Sequence, residues 1–248
     1  MRLPIIEAFG NPGVGKSHVV EHLVRHVARD GRRVQREPYS LDRGKRVSRV
    51  LRKLWLMSVQ LPGLLPSMPA ALRLMRQSDW TSRAGAFKAL FNWLMMMACL
   101  RYLRSRNDTV LLSQGAVQAI WSLAYRARSG AEFPFHGWMD LTLAMLKQRE
   151  LVVLLVTARA DTVAHRLDSR AGGQSILDQK RDDQAMARSQ RIVDELTGLI
   201  TVQADGGHVR IVVHDNNADG FSDQMAARLA RELGLQAAEP DHVSGFTA

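Results

Sequence analysis

Cysteine is nearly missing from this chain. Of 248 residues only Cys99 is one, so no internal disulfide can hold the fold together. Long apolar runs are missing too. The longest near the middle, "FNWLMMMACL", is about half the roughly 18 residues a membrane-spanning helix needs, and arginines bracket it. Residues 1–9 lead into the next segment without a basic leader or a cleavage-like site, and with the cysteine count this makes a cytoplasmic chain the expectation. No repeat period or low-complexity tract is visible. What is present is 46% hydrophobic residues in a chain long enough for a large core. One globular unit over 1–248 is expected.

Acids are scarce in one place. Residues 43–106 hold 13 of the 34 Lys and Arg but a single one of the 24 acids, Asp79. That quarter of the chain therefore carries +12 and the remainder −2, within a net charge of +10. So concentrated a positive field favours an acidic partner: a phosphorylated small molecule, a nucleic acid or an anionic lipid surface.

"LPIIEAFG" is a short apolar segment ending in glycine. After it Val19, Val20, Leu23, Val24 and Val27 recur at helical spacing until Asp30-Gly31 stops the pattern. "RRVQREP" reads as a second strand closed by Pro38, "NDTVLLSQG" as a third and "HVRIVVHDNN" as a fifth. The fourth, "LVVLLVTA", is apolar throughout, as a parallel strand covered on both faces should be. Helical spacing recurs at 116–128, 138–148, 161–169, 174–199 and 221–233, and such alternation implies a parallel sheet wrapped on both sides. Residues 43–106 interrupt it. "RVSRVLRKLWLMSV", a proline-broken connector "QLPGLLPSMP", "AALRLMRQ" and "SRAGAFKALFNWLMMMACLRYLRSR" read as a helical insertion between the second and third strands. Trp55, Met57, Met75, Trp80, Trp93 and Met95 to Met97 read as core and helix contacts within it.

"GNPGVGKS" fits the Walker A phosphate loop, and it follows a strand and opens a helix as that loop must. Gly10, Asn11, Pro12, Gly13, Val14 and Gly15 would turn backbone N–H groups inward, and the helix start adds its positive end. Lys16 would reach the β and γ phosphates and Ser17 would offer its hydroxyl to magnesium. His18 follows where it could donate to the α-phosphate. His18, His22 and His26 recur every four residues along the edge of the helix, which reads as a partly exposed border stripe rather than a metal site.

The whole layout resembles the nucleoside-monophosphate and thymidylate kinase-like group of P-loop kinases. The residues that carry this are the loop, Arg36-Glu37-Pro38 at the end of the second strand, "VTARADTVAHRLDSR" with Asp161, Arg166 and Arg170, and "VVHDNNADG" after the last strand. The resemblance implies a three-layer α/β sandwich with a five-stranded parallel sheet in the order 2-3-1-4-5, and ATP and Mg2+ as cofactors. It implies a lid-like segment over 159–185 whose Arg166 and Arg170 close on the transferring phosphate, and Asn216 and Asn217 beside the base. It also makes Glu37 a base on an acceptor hydroxyl or a magnesium ligand, and Arg36 a contact to an anionic part of the acceptor. One departure is clear: the acid that commonly ends the third strand in that group is replaced by Ser113 and Gln114. Glu37 remains as the best candidate carboxylate, since the C-terminal end of a parallel strand projects into the ligand crevice, with Asp42 second. The plainer readings are a solvated basic face for Arg166 and Arg170, with Asp161 and Asp168 as partners, and an ordinary exposed carboxylate for Glu37.

The leading expectation is a kinase moving the γ-phosphate of ATP to a small, anionic acceptor such as a nucleotide, nucleoside or sugar derivative. The alternative is a P-loop ATPase or switch module whose basic insertion binds nucleic acid or an anionic membrane. Against it, the chain has no Asn-Lys-x-Asp guanine-reading stretch and no acid closing "TVLLSQG". Nucleic acid is disfavoured as a partner, because the basic residues alternate with a core-like apolar pattern. Peripheral contact with an anionic membrane and self-association stay open.

Overall fold

The computed structural model describes residues 4–31, 34–36, 46–104, 109–128, 132–146, 150–168, 183–207, 209–217 and 221–235. Five parallel strands form one sheet: β1 (Ile5–Phe9), β2 (Val34–Arg36), β3 (Thr109–Leu112), β4 (Leu151–Thr157) and β5 (Val209–Asp215), in the order β2-β3-β1-β4-β5. β2 is a three-residue edge strand. Ile5 stands opposite Val110 on one side and Leu151 on the other, and Leu151 opposite Val209, so the C-terminal ends of the strands share one edge.

The pleat sorts side chains into two cores, as a period of two requires. Ile6, Ala8, Val152, Leu154 and Val156 face α1 (Lys16–Arg29) and α9 (Asp223–Glu232), where Val19, Leu23, Val27 and Leu229 complete one cluster. Ile5, Phe9, Val110, Leu112, Val153 and Leu155 face the other way. That side is covered by α4 (Arg83–Arg104), α5 (Ala116–Arg126), α6 (Phe135–Leu146) and α8 (Asp183–Asp205). The intervening α7 (Ala160–Asp168) follows β4.

The insertion is α2 (Arg46–Leu64), a 3-10 turn (Leu65–Ser67), α3 (Met68–Gln77) and α4. The proline-broken connector expected at residues 60–69 is instead helical. Pro62 lies inside the last turn of α2, and Pro66 and Pro69 sit in the first turns of the 3-10 turn and α3. For Pro66 and Pro69 the reason is positional: a proline at the start of a helix lacks an N–H that would have had no intrahelical acceptor anyway. Trp93, Met97 and Leu100 are fully or almost fully buried, and Trp93 donates its indole N–H to Thr142 Oγ1 at 3.2 Å. Trp55 corrects the expectation of a core contact, because it stands 55% exposed on α2. Among the described residues no helix is long and apolar enough to cross a membrane.

Candidate phosphate site

β1 delivers the chain to the C-terminal edge of the sheet, where it turns sharply. Gly10 lies so close to β4 that a Cβ there would stand 2.3 Å from the Val156 carbonyl oxygen. Gly15, at φ 94, begins α1 in the left-handed region that favours glycine, and a Cβ would meet the Asn216 amide nitrogen at 2.3 Å.

The start of α1 has no side-chain cap and no acid in its first turn. Val19 N–H donates to the Gly15 carbonyl at 3.0 Å, whereas a helix leaves the earlier amides, here those of Lys16, Ser17 and His18, without an acceptor inside it. These groups, the dipole behind them and the Lys16 ammonium could together hold an anion. The donor set fits a polyphosphate, and the exposed Ser17 hydroxyl is where a magnesium ligand would stand. Lys16 Nζ donates to the carbonyls of Gly10 at 2.7 Å and Asn11 at 2.9 Å.

The loop is held from two directions by residues distant in sequence. Asn216, buried at the end of β5, donates its side-chain amide to the Val14 carbonyl at 2.7 Å. Arg166 on α7 adds bonds to the Val14 carbonyl at 3.3 Å and the Asn216 carbonyl at 3.0 Å. On α8, Ser189 Oγ donates to Asn11 Oδ1 at 2.6 Å while Asn11 Nδ2 donates to Gln190 Oε1, also at 2.6 Å. Arg166 and Asn216, expected at the transferring phosphate and the base respectively, are thus brought together at Val14. Asn217 accepts from the Arg159 amide and donates to Asp215. Asp161 pairs with Arg159 at 3.4 Å, and the amide of Thr162, more than that arginine, holds its carboxyl below the usual range. Arg36 ends β2, and its side chain lies outside what is described. Glu37, Pro38, Asp42 and Arg170 also lie outside the described residues.

The rings of His18 and His22 meet at a tilt of 54° with centres 4.4 Å apart, and His22 lies 5.3 Å from Phe221. Burial first, and then the neighbouring His18, lowers the His22 imidazole. Phe221 also meets His214 of β5 at 5.4 Å. His214 is buried, its two ring nitrogens have no hydrogen-bond partner among the described residues, and burial lowers its affinity for a proton.

A carboxylate absent from the expected set stands beside the turn after β3, and it comes from β1. Glu7 is fully buried. Its Oε1 accepts from the amides of Gly115 at 3.1 Å and Gln118 at 2.8 Å, and its Oε2 from Val117 at 3.1 Å. Burial pushes this carboxyl up to about 7, against the pull of those amides. Gly115 is the residue that fits: a Cβ there would come 2.4 Å from the carboxyl carbon. Two neighbouring helix starts therefore differ. That of α5 is filled by an internal carboxylate, and that of α1 carries none. The signal was legible in "IIEAF", a lone acid in a strand that has to be covered on both faces.

A separate cavity of about 1260 Å³ opens beside α3, α5, α6 and α8, bordered by Leu74, Phe133, Phe135, Arg188, Arg191 and Leu199. Arg188 is occupied there with the carbonyls of Ala124 in α5 and of Ala127 just after it, and its guanidinium lies 5.2 Å from the centre of the Tyr125 ring.

The loop between β1 and α1 and the strand order define a P-loop α/β fold of the nucleoside-monophosphate kinase-like kind. One solved structure with this fold is thymidylate kinase from Candida albicans, 12% identical, with 94% of this chain and 92% of that one covered and a TM-score of 0.53. Deoxyadenosine kinase from M. mycoides with bound dCTP is 10% identical, covers 93% and 98%, and has a TM-score of 0.46. Shikimate kinase from Acinetobacter baumannii in complex with shikimate is 15% identical over 93% and 90%, with a TM-score of 0.39. No family model matches the chain, and no curated protein matches it in sequence.

Proposed function

We propose that this protein is an ATP- and magnesium-dependent phosphotransferase acting on a small acceptor. The observation that carries the reading is the start of α1: an uncapped helix end without acids, entered through Gly15 and flanked by Lys16. Loop amides and Lys16 would hold the β and γ phosphates, with Lys16 exchanging its bonds to Gly10 and Asn11 for phosphate oxygens. The Ser17 hydroxyl would hold magnesium, which when bound neutralises charge on the phosphates. His18 would donate near the α-phosphate, and Asn216 and Asn217 would border the base.

Glu37 would accept the proton of a hydroxyl acceptor or hold the metal, Arg36 would meet an anionic part of the acceptor, and Arg166 with Arg170 would balance the charge spreading over the transferred group. Asn216 and Arg166 have a further part in this reading, since their bonds at Val14 fix the loop in place before ligand arrives. Catalysis would then come from alignment and electrostatics. Because Glu7 already fills the start of α5, an anionic acceptor would rely on side-chain cations rather than on that helix end.

The test is a screen of nucleoside monophosphates, nucleosides and sugars with ATP and magnesium, read by mass spectrometry for a product that gains one phosphoryl group. A product formed by the unmodified chain and lost in Lys16→Ala supports the reading. ATP consumed with no phosphorylated product in any pool supports the ATPase or switch alternative instead. No nucleotide affinity at all overturns both.

A further inference from the structure

We infer that the outward face of α2, with the basic segment around it, docks on an anionic lipid bilayer. The exposed large hydrophobic residues of this protein are not scattered. Among the described residues, Leu54, Trp55, Val59, Leu61, Leu65, Leu72 and Phe87 all belong to the insertion, against Val202 and Val213 elsewhere. Four of them, Leu54, Trp55, Val59 and Leu61, share one side of α2, within an arc of about 160° at 100° per residue. Leu65 follows in the 3-10 turn. Leu56 and Leu64 on the same helix are buried, so α2 already has its own inward side and the exposed stripe is surplus to the core. Trp55 is 55% exposed and Phe87, on α4, is 72% exposed. Burying such side chains is favourable, so a contiguous exposed stripe marks a contact.

Charge selects the occupant. The same segment carries +12. Its one acid, Asp79, is taken by Arg128, which lies outside the insertion just after α5, at 3.3 Å, while Arg73, Arg76, Arg83 and Lys88 are exposed. Two copies of this chain meeting through the stripe would set like charges against each other. A nucleic acid would match the charge, but five of the seven exposed apolar residues are aliphatic and offer no stacking platform. An anionic bilayer accepts both features at once: cations at the headgroups, and leucine, valine and tryptophan at the acyl boundary. Stable adhesion takes two such signals together. This contact lies in the interface plane, in keeping with the lack of a spanning helix among the described residues.

The proposal is independent of phosphate transfer, and so is its test. The full chain is floated with vesicles of phosphatidylcholine alone or with about a quarter phosphatidylglycerol, at low and high salt. Binding should be at least about tenfold stronger to the anionic vesicles, fall with salt, and be accompanied by a blue shift in tryptophan emission. The paired substitution Trp55→Ser and Leu61→Ser should weaken it by about tenfold or more, while thermal unfolding and nucleotide affinity stay as in the unmodified chain. Equal binding to both vesicle types overturns the proposal, as does anionic binding untouched by the paired substitution. So does a chain that ignores vesicles and is a dimer made monomeric by the same substitutions, or one that ignores vesicles and binds an oligonucleotide.

Discussion

Glu7→Ala would remove the acceptor from three backbone amides, those of Gly115, Val117 and Gln118, where no solvent reaches the carboxylate. Each buried donor left without a partner costs about 1–3 kcal/mol, so with partial relaxation the loss should come to about 3–5 kcal/mol. That is a large part of the roughly 5–15 kcal/mol typical of a folded chain. The same group sets a pH dependence of definite sign. Its carboxyl rises from 4.5 to about 7 on folding, so between those values the native state binds more proton than the unfolded one. Stability is therefore complete below pH 4.5 and falls as pH rises through about 7. At about 1.4 kcal/mol for each unit, the rise of about 2.5 units makes the full contribution lost about 3.5 kcal/mol. Glu7→Gln keeps the shape and removes the titration. Urea unfolding followed by circular dichroism at pH 5 and pH 8 separates the effect, because other titrating groups cancel in the difference between the two proteins. The unmodified chain should lose about 2.5 kcal/mol more than Glu7→Gln between pH 5 and pH 8, since part of the loss precedes pH 5. Equal pH dependence in the two, or a Glu7→Ala chain within about half a kcal/mol of the original, would refute this account of the buried cap.

Other perturbations test separate joints of the structure. Gly115→Ala places a methyl group against the Glu7 carboxyl and should destabilise by about 2 kcal/mol or more, seen as a lowered melting temperature. Asn216→Ala strips the Val14 carbonyl of its buried donor; titration calorimetry should find weaker nucleotide binding, with about 1–3 kcal/mol lost from unfolding. Lys16→Ala should unfold like the original chain yet transfer phosphate at least about a hundredfold more slowly in a single-turnover assay. His214, lowered chiefly by burial, resists protonation in the native state, so its contribution is complete above about pH 6.5 and is lost as pH falls below that value. His214→Phe should accordingly flatten the acid side of the stability profile.

Local patterns were readable in order of their strength. "GNPGVGKS" between an apolar strand and a helical stripe announced its loop because its glycines and its lysine act within a few residues of one another. The apolar run of β4 announced burial on both faces in the same way. Strand order, in contrast, was drawn from resemblance, since spacing alone does not say which strands become neighbours. The break expected at Pro66 and Pro69 failed because proline is tolerated at helix starts, while Pro62 lies within α2 without ending it. Trp55 was misread because helical spacing identifies a face but not whether anything covers it.

The glycine-rich loop after β1, the alternation of strands and helices, and the concentration of positive charge between β2 and β3 follow from the order of residues alone, since each depends on neighbours along the chain. What holds the loop, and what fills the start of the neighbouring helix, depends on how remote segments meet in the fold. Asn216 reaches Val14 across 202 residues, Ser189 reaches Asn11 across 178, and Glu7 reaches Gly115 across 108. Those contacts exist because parallel strands remote in sequence end at one edge of the sheet, which brings their polar ends to a common site while their apolar sides stay in the two cores.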